Sequence, residues 1–304
     1  MDKNEPTAFV YNIQRYCIHD GPGIRTTFFF KGCNMRCPWC ANPESLSAKP
    51  QIAFFAARCT GCGACALVCE TGAIDLHAPT RIDRSKCTLC GDCAAVCPAD
   101  AYQLHGEERT LDELVTEAEK DRAFYRRSGG GVTISGGEPT MQAAFVAAFL
   151  AELKRRGIHT AMETNGAMAA QTLDSLLPVA DLFLIDLKHM DAEKHKEFTG
   201  RGNAHTIENI RTAVQVGSVI LRVPLIPRFN DDDENLAQTA EFALSLPGGM
   251  KAVHLLPFHA MAGSKYASLN MDYTYDDVQA QSEQRLDEIL NHFISRGINA
   301  QIGG

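Results

Sequence analysis

Lys31–Glu44 reads KGCNMRCPWCANPE, and its three cysteines, Cys33, Cys37 and Cys40, are spaced C-x3-C-x2-C. Three thiolates at this spacing can hold three irons of a 4Fe–4S cube and leave the fourth iron without a protein ligand. An open coordination position separates a reactive metal site from a closed, structural one. The competing assignment, a structural zinc site, calls for four ligands, usually as two separated pairs, and this stretch offers three. Just upstream, Thr26–Phe30 (TTFFF) has the β-branched and aromatic composition of a short buried strand, so the cysteine loop follows a strand's C-terminal end. Ahead of that strand, Ile13–Arg25 (IQRYCIHDGPGIR) reads as a turn-rich segment centred on Gly21, Pro22 and Gly23. Cys17 falls outside every ligand spacing and reads as an ordinary thiol. Asp20 is either a turn former or part of the mouth of a site.

Downstream the chain repeats itself. Cys59, Cys62, Cys65 and Cys69 recur as Cys87, Cys90, Cys93 and Cys97, each 28 residues later, in the surroundings CTGCGACALVCETGAI and CTLCGDCAAVCPADAY. This is C-x2-C-x2-C-x3-C twice, the pattern of bacterial two-cluster ferredoxins, in which the fourth cysteine of each run serves the other cluster. The likeness implies Cys59, Cys62, Cys65 and Cys97 on one cube and Cys87, Cys90, Cys93 and Cys69 on the second. The first run carries Glu70 where the second carries Pro98. The alternative is a pair of zinc sites, but triplets at x2-x2 spacing suit the corners of a cube. These cysteines define an insert over residues 51–104, flanked by 1–50 and 105–304.

Composition narrows the setting. The 304 residues are 45% hydrophobic, enough for a sizeable core, and carry a net charge of −8, which offers no general attraction for nucleic acid. The N-terminus has no apolar targeting region and no stretch is long enough to span a bilayer, so a cytoplasmic protein with no membrane partner is expected. Twelve cysteines in such a chain are more naturally metal ligands than disulfides.

After the insert, strands and helices alternate. Thr110–Arg127 has helical periodicity, Gly131–Ser135 (GVTIS) reads as a strand, and a helix over Met141–Arg156 ends at Gly157. His159–Thr164, Asp181–Lys188 (DLFLIDLK), Ser218–Val223 (SVILRV) and Ala252–Leu256 (AVHLL) are the following strands, and a helix over Tyr275–Ser295 closes the chain. Counting TTFFF, there are six strands, each with polar or metal-binding residues just past its C-terminal end. Strands separated by helix-length segments predict βαβ units and a parallel sheet. Ligands bind at strand C-termini in barrels and in open sheets alike. Asp186 and Lys188 lie two apart and share a face, as do Glu163 and Asn165. A plain surface ion pair is the alternative for the first, but the apolar LFLI before it favours a site.

At this point the sequence resembles a known family at many places. Cys33, Cys37 and Cys40, with the aromatic Trp39 before the last, carry the signature of radical S-adenosylmethionine (SAM) enzymes. IQRYCIHDGPGIRTTFFFKGC, CANPES, the double cysteine insert, SGGEPT, ETNG, DLK and LLPFH together resemble the activating enzymes of glycyl radical enzymes, in the subgroup with auxiliary clusters. The resemblance implies an α/β fold: a partial (β/α)6 TIM-like barrel with an inserted bacterial-ferredoxin-like 4Fe–4S domain. It implies three 4Fe–4S clusters, with SAM as cosubstrate. Trp39, Cys40 and Ala41 would border the adenine side, and Gly136-Gly137-Glu138 would meet the methionine ammonium. Asn165, Asp186, Lys188, Arg222 and His259 would complete the cofactor surround. A monovalent cation near Glu163 and Asp186 is a further implication, although the family more often has Asp where Glu163 stands.

The implied reaction is reductive cleavage of SAM to methionine and a 5′-deoxyadenosyl radical, which takes a hydrogen atom from a backbone glycine of a partner glycyl radical enzyme. A low-potential flavodoxin or ferredoxin would supply electrons to a monomer. Two rivals are a radical SAM enzyme acting on a small molecule or peptide, and a ferredoxin-type electron carrier.

Overall fold

The computed structural model describes residues 5–248 and 250–304. The chain opens with β1 (Thr7–Cys17) and β2 (Arg25–Phe30), then passes through β3 (Gln51–Phe54) and β4 (Tyr102–His105) at the two ends of the cysteine-rich insert. It continues through β5 (Glu107–Thr110), β6 (Gly131–Gly136), β7 (His159–Thr164), β8 (Leu182–Asp186), β9 (Val219–Leu225), β10 (Met250–Pro257) and β11 (Ala300–Ile302). Among the described residues the main sheet has nine strands in the order β11-β10-β9-β8-β7-β6-β2-β1-β5. From β2 to β11 every pairing is parallel, and only β1 runs antiparallel to its neighbours β2 and β5. The six expected strands are therefore consecutive neighbours, with their C-terminal ends at one edge.

Period-two alternation sorts the side chains. Phe28, Phe30, Val132, Ile134, Met162, Phe183, Ile185, Leu221 and Val253 face the helices and form one core with Phe149, Leu153, Ile210 and Phe293. The opposite, inner face carries a small apolar layer of Ala161, Leu182, Leu184 and Ile220. Nearer the C-terminal ends it carries the polar residues Ser135, Glu163, Asp186 and Arg222.

Three elements differ from the sequence reading by more than a residue or two at their ends, each for a local reason. The segment read as turns from Ile13 is strand as far as Cys17, because β1 pairs with β2 through Ile13–Phe28, Gln14–Thr27 and Cys17–Arg25. The helix expected over Thr110–Arg127 is two helices, Leu111–Glu119 and Arg122–Ser128. Thr110 starts the first with a capping box. The break falls at buried Asp121, whose carboxylate is engaged by Arg15 and by Thr26 Oγ1 at 2.7 Å. The last helix begins only at Glu283, after the N-cap Ser282, so Tyr275 and Val278 are free to pack beneath Trp39. HDGPGIR lies at the N-terminal end of β2, away from the cysteine loop. Arg25 is fully buried there and bonds Thr133 Oγ1 and the Val132 carbonyl, both at 2.6 Å. Asp20 turns onto the inner face, where Thr27 Oγ1 donates to it at 2.5 Å.

The insert has its own apolar core of Ile52, Phe54, Ile82, Ala101 and Tyr102 around Cys65 and Cys93. Its neck is the antiparallel pair β3–β4, in which Gln51 stands opposite His105. The 28-residue repeat is present in the backbone too. Gly61 and Leu89, Gly63 and Gly91, and Gly72 and Asp100 are matched pairs, all with positive φ. Leu89 and Asp100 thus adopt a conformation that their counterparts reach without a Cβ.

Candidate active site

The loop after β2 has almost no regular structure, so it is held by its ends and its neighbours. Gly32 N donates to Ser45 O at 2.8 Å and Cys33 N to Leu46 O at 3.3 Å, closing the loop at its base. The turn after β6 is stitched to that base: Gly137 N donates to Phe30 O at 3.0 Å and Glu138 N to Gly32 O at 2.7 Å. Both glycines are required by close approach. A Cβ at 136 would stand 2.2 Å from Phe30 O, and one at 137 would stand 2.4 Å from Gly32 O. On its outer side the loop is tied by Arg36 N to Thr199 O at 2.8 Å and by Asn34 Nδ2 to Ala167 O at 2.8 Å.

These ties shape a cavity of about 290 Å³ at the C-terminal edge of the sheet. Cys33, Cys37 and Cys40 all line it, with Trp39, Ala41, Gly136, Gly137, Asn165, Lys188, Arg222 and His259. Its apolar wall adds Met35, Ile226 and Phe258, none of which the sequence singled out. Trp39 is mostly buried, packed on Phe229 at 4.5 Å between ring centroids, so its ring is fixed before any ligand arrives. Asn34, also missed, donates nothing to the cavity but accepts from Asn165 Nδ2 at 2.8 Å, fixing that amide.

Three expected site residues stand behind the cavity wall. Glu138 is fully buried and accepts from Thr140 Oγ1 at 2.7 Å, Asn165 N at 2.8 Å and Thr164 Oγ1 at 2.9 Å. Its carboxylate braces β6 against β7, so of SGGEPT the two glycines face the cavity and the glutamate does not. Asp186 accepts from Lys188 Nζ at 2.7 Å. Glu163 accepts from Ser135 Oγ at 2.5 Å and from Arg222 Nη1. Arg222 Nε also lies 3.5 Å from Asp186 Oδ1. The positive charge expected between Glu163 and Asp186 is thus already supplied by a guanidinium, which a monovalent cation would have to displace.

Burial pulls the Lys188 ammonium down, but the Asp186 carboxylate beside it outweighs that and the group stays charged. Burial pushes Cys37 up to about 12 and Cys40 to about 11, opposed in both by Lys188, and raises Cys33 as well. Free thiols here hold their protons and give them up on metal binding. Among the described residues no three His, Cys, Asp or Glu side chains converge on a single metal ion. Thiolates on a cube bind separate irons, so they need not meet at a point. No fourth thiol lines the cavity, and the donor set fits a cluster with one open iron. Beside it, Lys188, Arg222, Asn165 and two glycine backbones offer a polar end, and Trp39, Ile226 and Phe258 an apolar one. A ligand with an amino-acid end and an aromatic end is complementary to that arrangement.

The insert cysteines lie outside this cavity. Cys65 and Cys93 are buried on equivalent short helices, Ala64–Val68 and Asp92–Ala95, while Cys62 and Cys90 are exposed and the other four are half-buried. Cys17, at the end of β1, bonds the Gln14 carbonyl and joins neither group.

Residues 27–240 match the family model described as the radical SAM superfamily. The chain is 42% identical to the trans-4-hydroxy-L-proline dehydratase activating enzyme of Clostridioides difficile, over 97% of this chain and 99% of that one. It is 39% identical to the benzylsuccinate synthase activating enzyme of Thauera aromatica, over 97% of this chain and 92% of that one. Among solved structures, a domain of pyruvate-formate lyase-activating enzyme from Bacteroides vulgatus superposes with a TM-score of 0.50 at 32% identity, covering 58% of this chain and 99% of that one. No helix among the described residues is long and apolar enough to cross a membrane.

Proposed function

The chain belongs to the radical SAM superfamily, among the activating enzymes of glycyl radical enzymes, and from that premise we propose how its residues divide the work. It is an oxidoreductase that activates a partner glycyl radical enzyme. The observation that carries the reading is one cavity bounded by Cys33, Cys37 and Cys40 on one side and by Lys188, Arg222 and the Gly136-Gly137 turn on the other. When bound there, a 4Fe–4S cluster and SAM supply the electron and the scissile bond, yielding methionine and a 5′-deoxyadenosyl radical that removes a hydrogen atom from the partner's glycine.

Cys33, Cys37 and Cys40 hold the three ligated irons. Lys188 and Arg222 face the carboxylate of the cosubstrate, and the Gly136 and Gly137 backbones its ammonium. Asn165 is held in orientation by Asn34. Trp39 and Ala41 border the adenine, with His259 at the rim. Glu138, Glu163 and Asp186 set the positions and charge states of these groups. We place the six parallel strands from β2 to β10 as an incomplete barrel whose unclosed side admits a partner segment. Near-contact with the glycine Cα, about 3–3.5 Å, then requires the partner's loop to leave its own fold.

Residues 51–104 act as a ferredoxin-like domain with two further 4Fe–4S clusters, Cys59, Cys62, Cys65 and Cys97 on one and Cys87, Cys90, Cys93 and Cys69 on the other. A low-potential flavodoxin or ferredoxin is the electron donor. Freeze-quenched EPR of the reconstituted protein with SAM, reductant and a candidate partner should show a glycyl doublet on the partner, lost when the partner's radical-site glycine is replaced by alanine. Cleavage of SAM coupled to a small molecule, with no protein partner present, would overturn the activase reading.

A further inference from the structure

We propose that Lys265 is a positioning residue that clamps the two sides of the SAM cavity to each other. The inference rests on the reading above, that the cysteine loop holds the cluster and the cosubstrate. Cys40 is followed by Ala41 and Asn42, which border the cavity, and then by a single helical turn, Pro43–Ser45. The base of the loop is closed by backbone bonds, and the Asn42 carbonyl is tied to it by Ser45 N at 2.9 Å and Ser45 Oγ at 2.6 Å, which leaves the Asn42 side chain and the Ala41 carbonyl to other partners. Lys265 lies on the short helix Gly263–Ser268, just past the β10 loop that brings His259 to the opposite rim.

Its ammonium spends all three donors on the cysteine loop: the Ala41 carbonyl at 3.1 Å, Asn42 Oδ1 at 2.8 Å and Glu44 Oε1 at 2.8 Å. Three divergent acceptors on one tetrahedral donor fix the direction of the peptide that follows Cys40. Glu44 is 6% exposed and its other oxygen, Oε2, has no partner. Lys31 Nζ holds the Glu44 carbonyl from the other side at 2.6 Å. Among the described residues the carboxylate therefore has Lys265 as its one side-chain partner, an arrangement poor for stability alone, since a buried charge with a spare oxygen is costly. What it does provide is a fixed span between the loop carrying Cys40 and the loop carrying His259.

Two variants separate positioning from mere support. Lys265→Met strands the Glu44 charge, so the anaerobically reconstituted full chain should lose melting temperature and bind SAM about tenfold more weakly, the worth of one charge-assisted bond. Its reduced EPR signal should also respond differently to added SAM. Lys265→Met/Glu44→Gln removes the stranded charge, so melting temperature should recover while SAM affinity and the EPR response stay impaired. Recovery of affinity together with melting temperature, or no loss of affinity in the single variant, would overturn the clamp. Wild-type protein that neither binds nor cleaves SAM would instead overturn the functional reading on which it rests.

Discussion

Gly137→Ala tests whether the turn after β6 sets the cysteine loop. A Cβ at this position would sit 2.4 Å from Gly32 O, 2.8 Å from Gly32 C and 2.9 Å from Ser45 O. A carbon normally approaches a carbonyl oxygen no closer than about 3.3 Å, so the base of the loop must move by about 0.9 Å. All three atoms are backbone, and no side-chain rotation relieves the clash. The movement falls on the Gly32 carbonyl, which also accepts from Glu138 N at 2.7 Å, and on the residue before Cys33. A misplacement of that size costs about 100-fold in rate where reacting groups must be aligned. Overpacking also costs about 1–3 kcal/mol in stability. The assay is 5′-deoxyadenosine formation under dithionite, with iron content and melting temperature measured on the same sample. Gly202→Ala, where nothing lies within 4 Å, is the control that should change neither. Cleavage by Gly137→Ala at the wild-type rate would refute the claim that this turn positions the loop.

Anaerobic reconstitution should load about twelve irons per chain, unchanged in Cys17→Ala. Cys37→Ala should abolish SAM cleavage while keeping the insert's iron, and saturation of the wild type at about four irons would end the three-cluster reading. If the fourth cysteines cross, Cys69→Ala should perturb the same reduced EPR signal as Cys90→Ala; a match to Cys62→Ala instead would show that each run keeps its own ligands. Burial alone would raise Asp121, but the bonds from Arg15 and Thr26 outweigh it and hold this carboxyl below the usual aspartate range. A depressed native value adds stability above the ordinary aspartate pKa of about 3.9, and that stability is lost as pH falls through the native value. Asp121→Asn should therefore cost about 2–3 kcal/mol in urea unfolding of the metal-free protein at neutral pH. The gap should close below about pH 4, and a gap independent of pH would exclude the charge as its origin.

Much of the site was legible because its chemistry is written in short runs. The three cysteines read from their spacing, Cys33, Cys37 and Cys40, share one cavity, and polar residues just past buried strands lie at the same edge of the parallel sheet. Side-chain direction was not legible. Glu138 sits in the same tripeptide as two cavity glycines yet points backward, because Thr140, Thr164 and Asn165 offer it bonds that solvent would otherwise provide. Arg222 was expected at the cofactor, but its pairing with Glu163 and Asp186 depends on β7, β8 and β9 being neighbours, a tertiary fact. Lys265 lay in an unremarkable GSKYAS segment, and its partners are more than 200 residues away. β1 was missed because its polar residues and the glycine turn beyond it masked a pairing that only β2 and β5 reveal.

The neck of the insert is a single pair of strands. Gln51 and His105 face each other across that pair, so the two ends of the insert meet at almost the same point. A segment with coincident ends can be spliced into or out of a coding sequence in one event without moving the strands on either side. The join is also closely packed. Lys31 reaches Gln51 Oε1 at 3.3 Å, and its stem packs so closely on Gly106 that a Cβ there would lie 2.4 Å from Lys31 Cδ. Both ends of residues 51–104 thus lie against one side chain, Lys31, at the head of the cysteine loop.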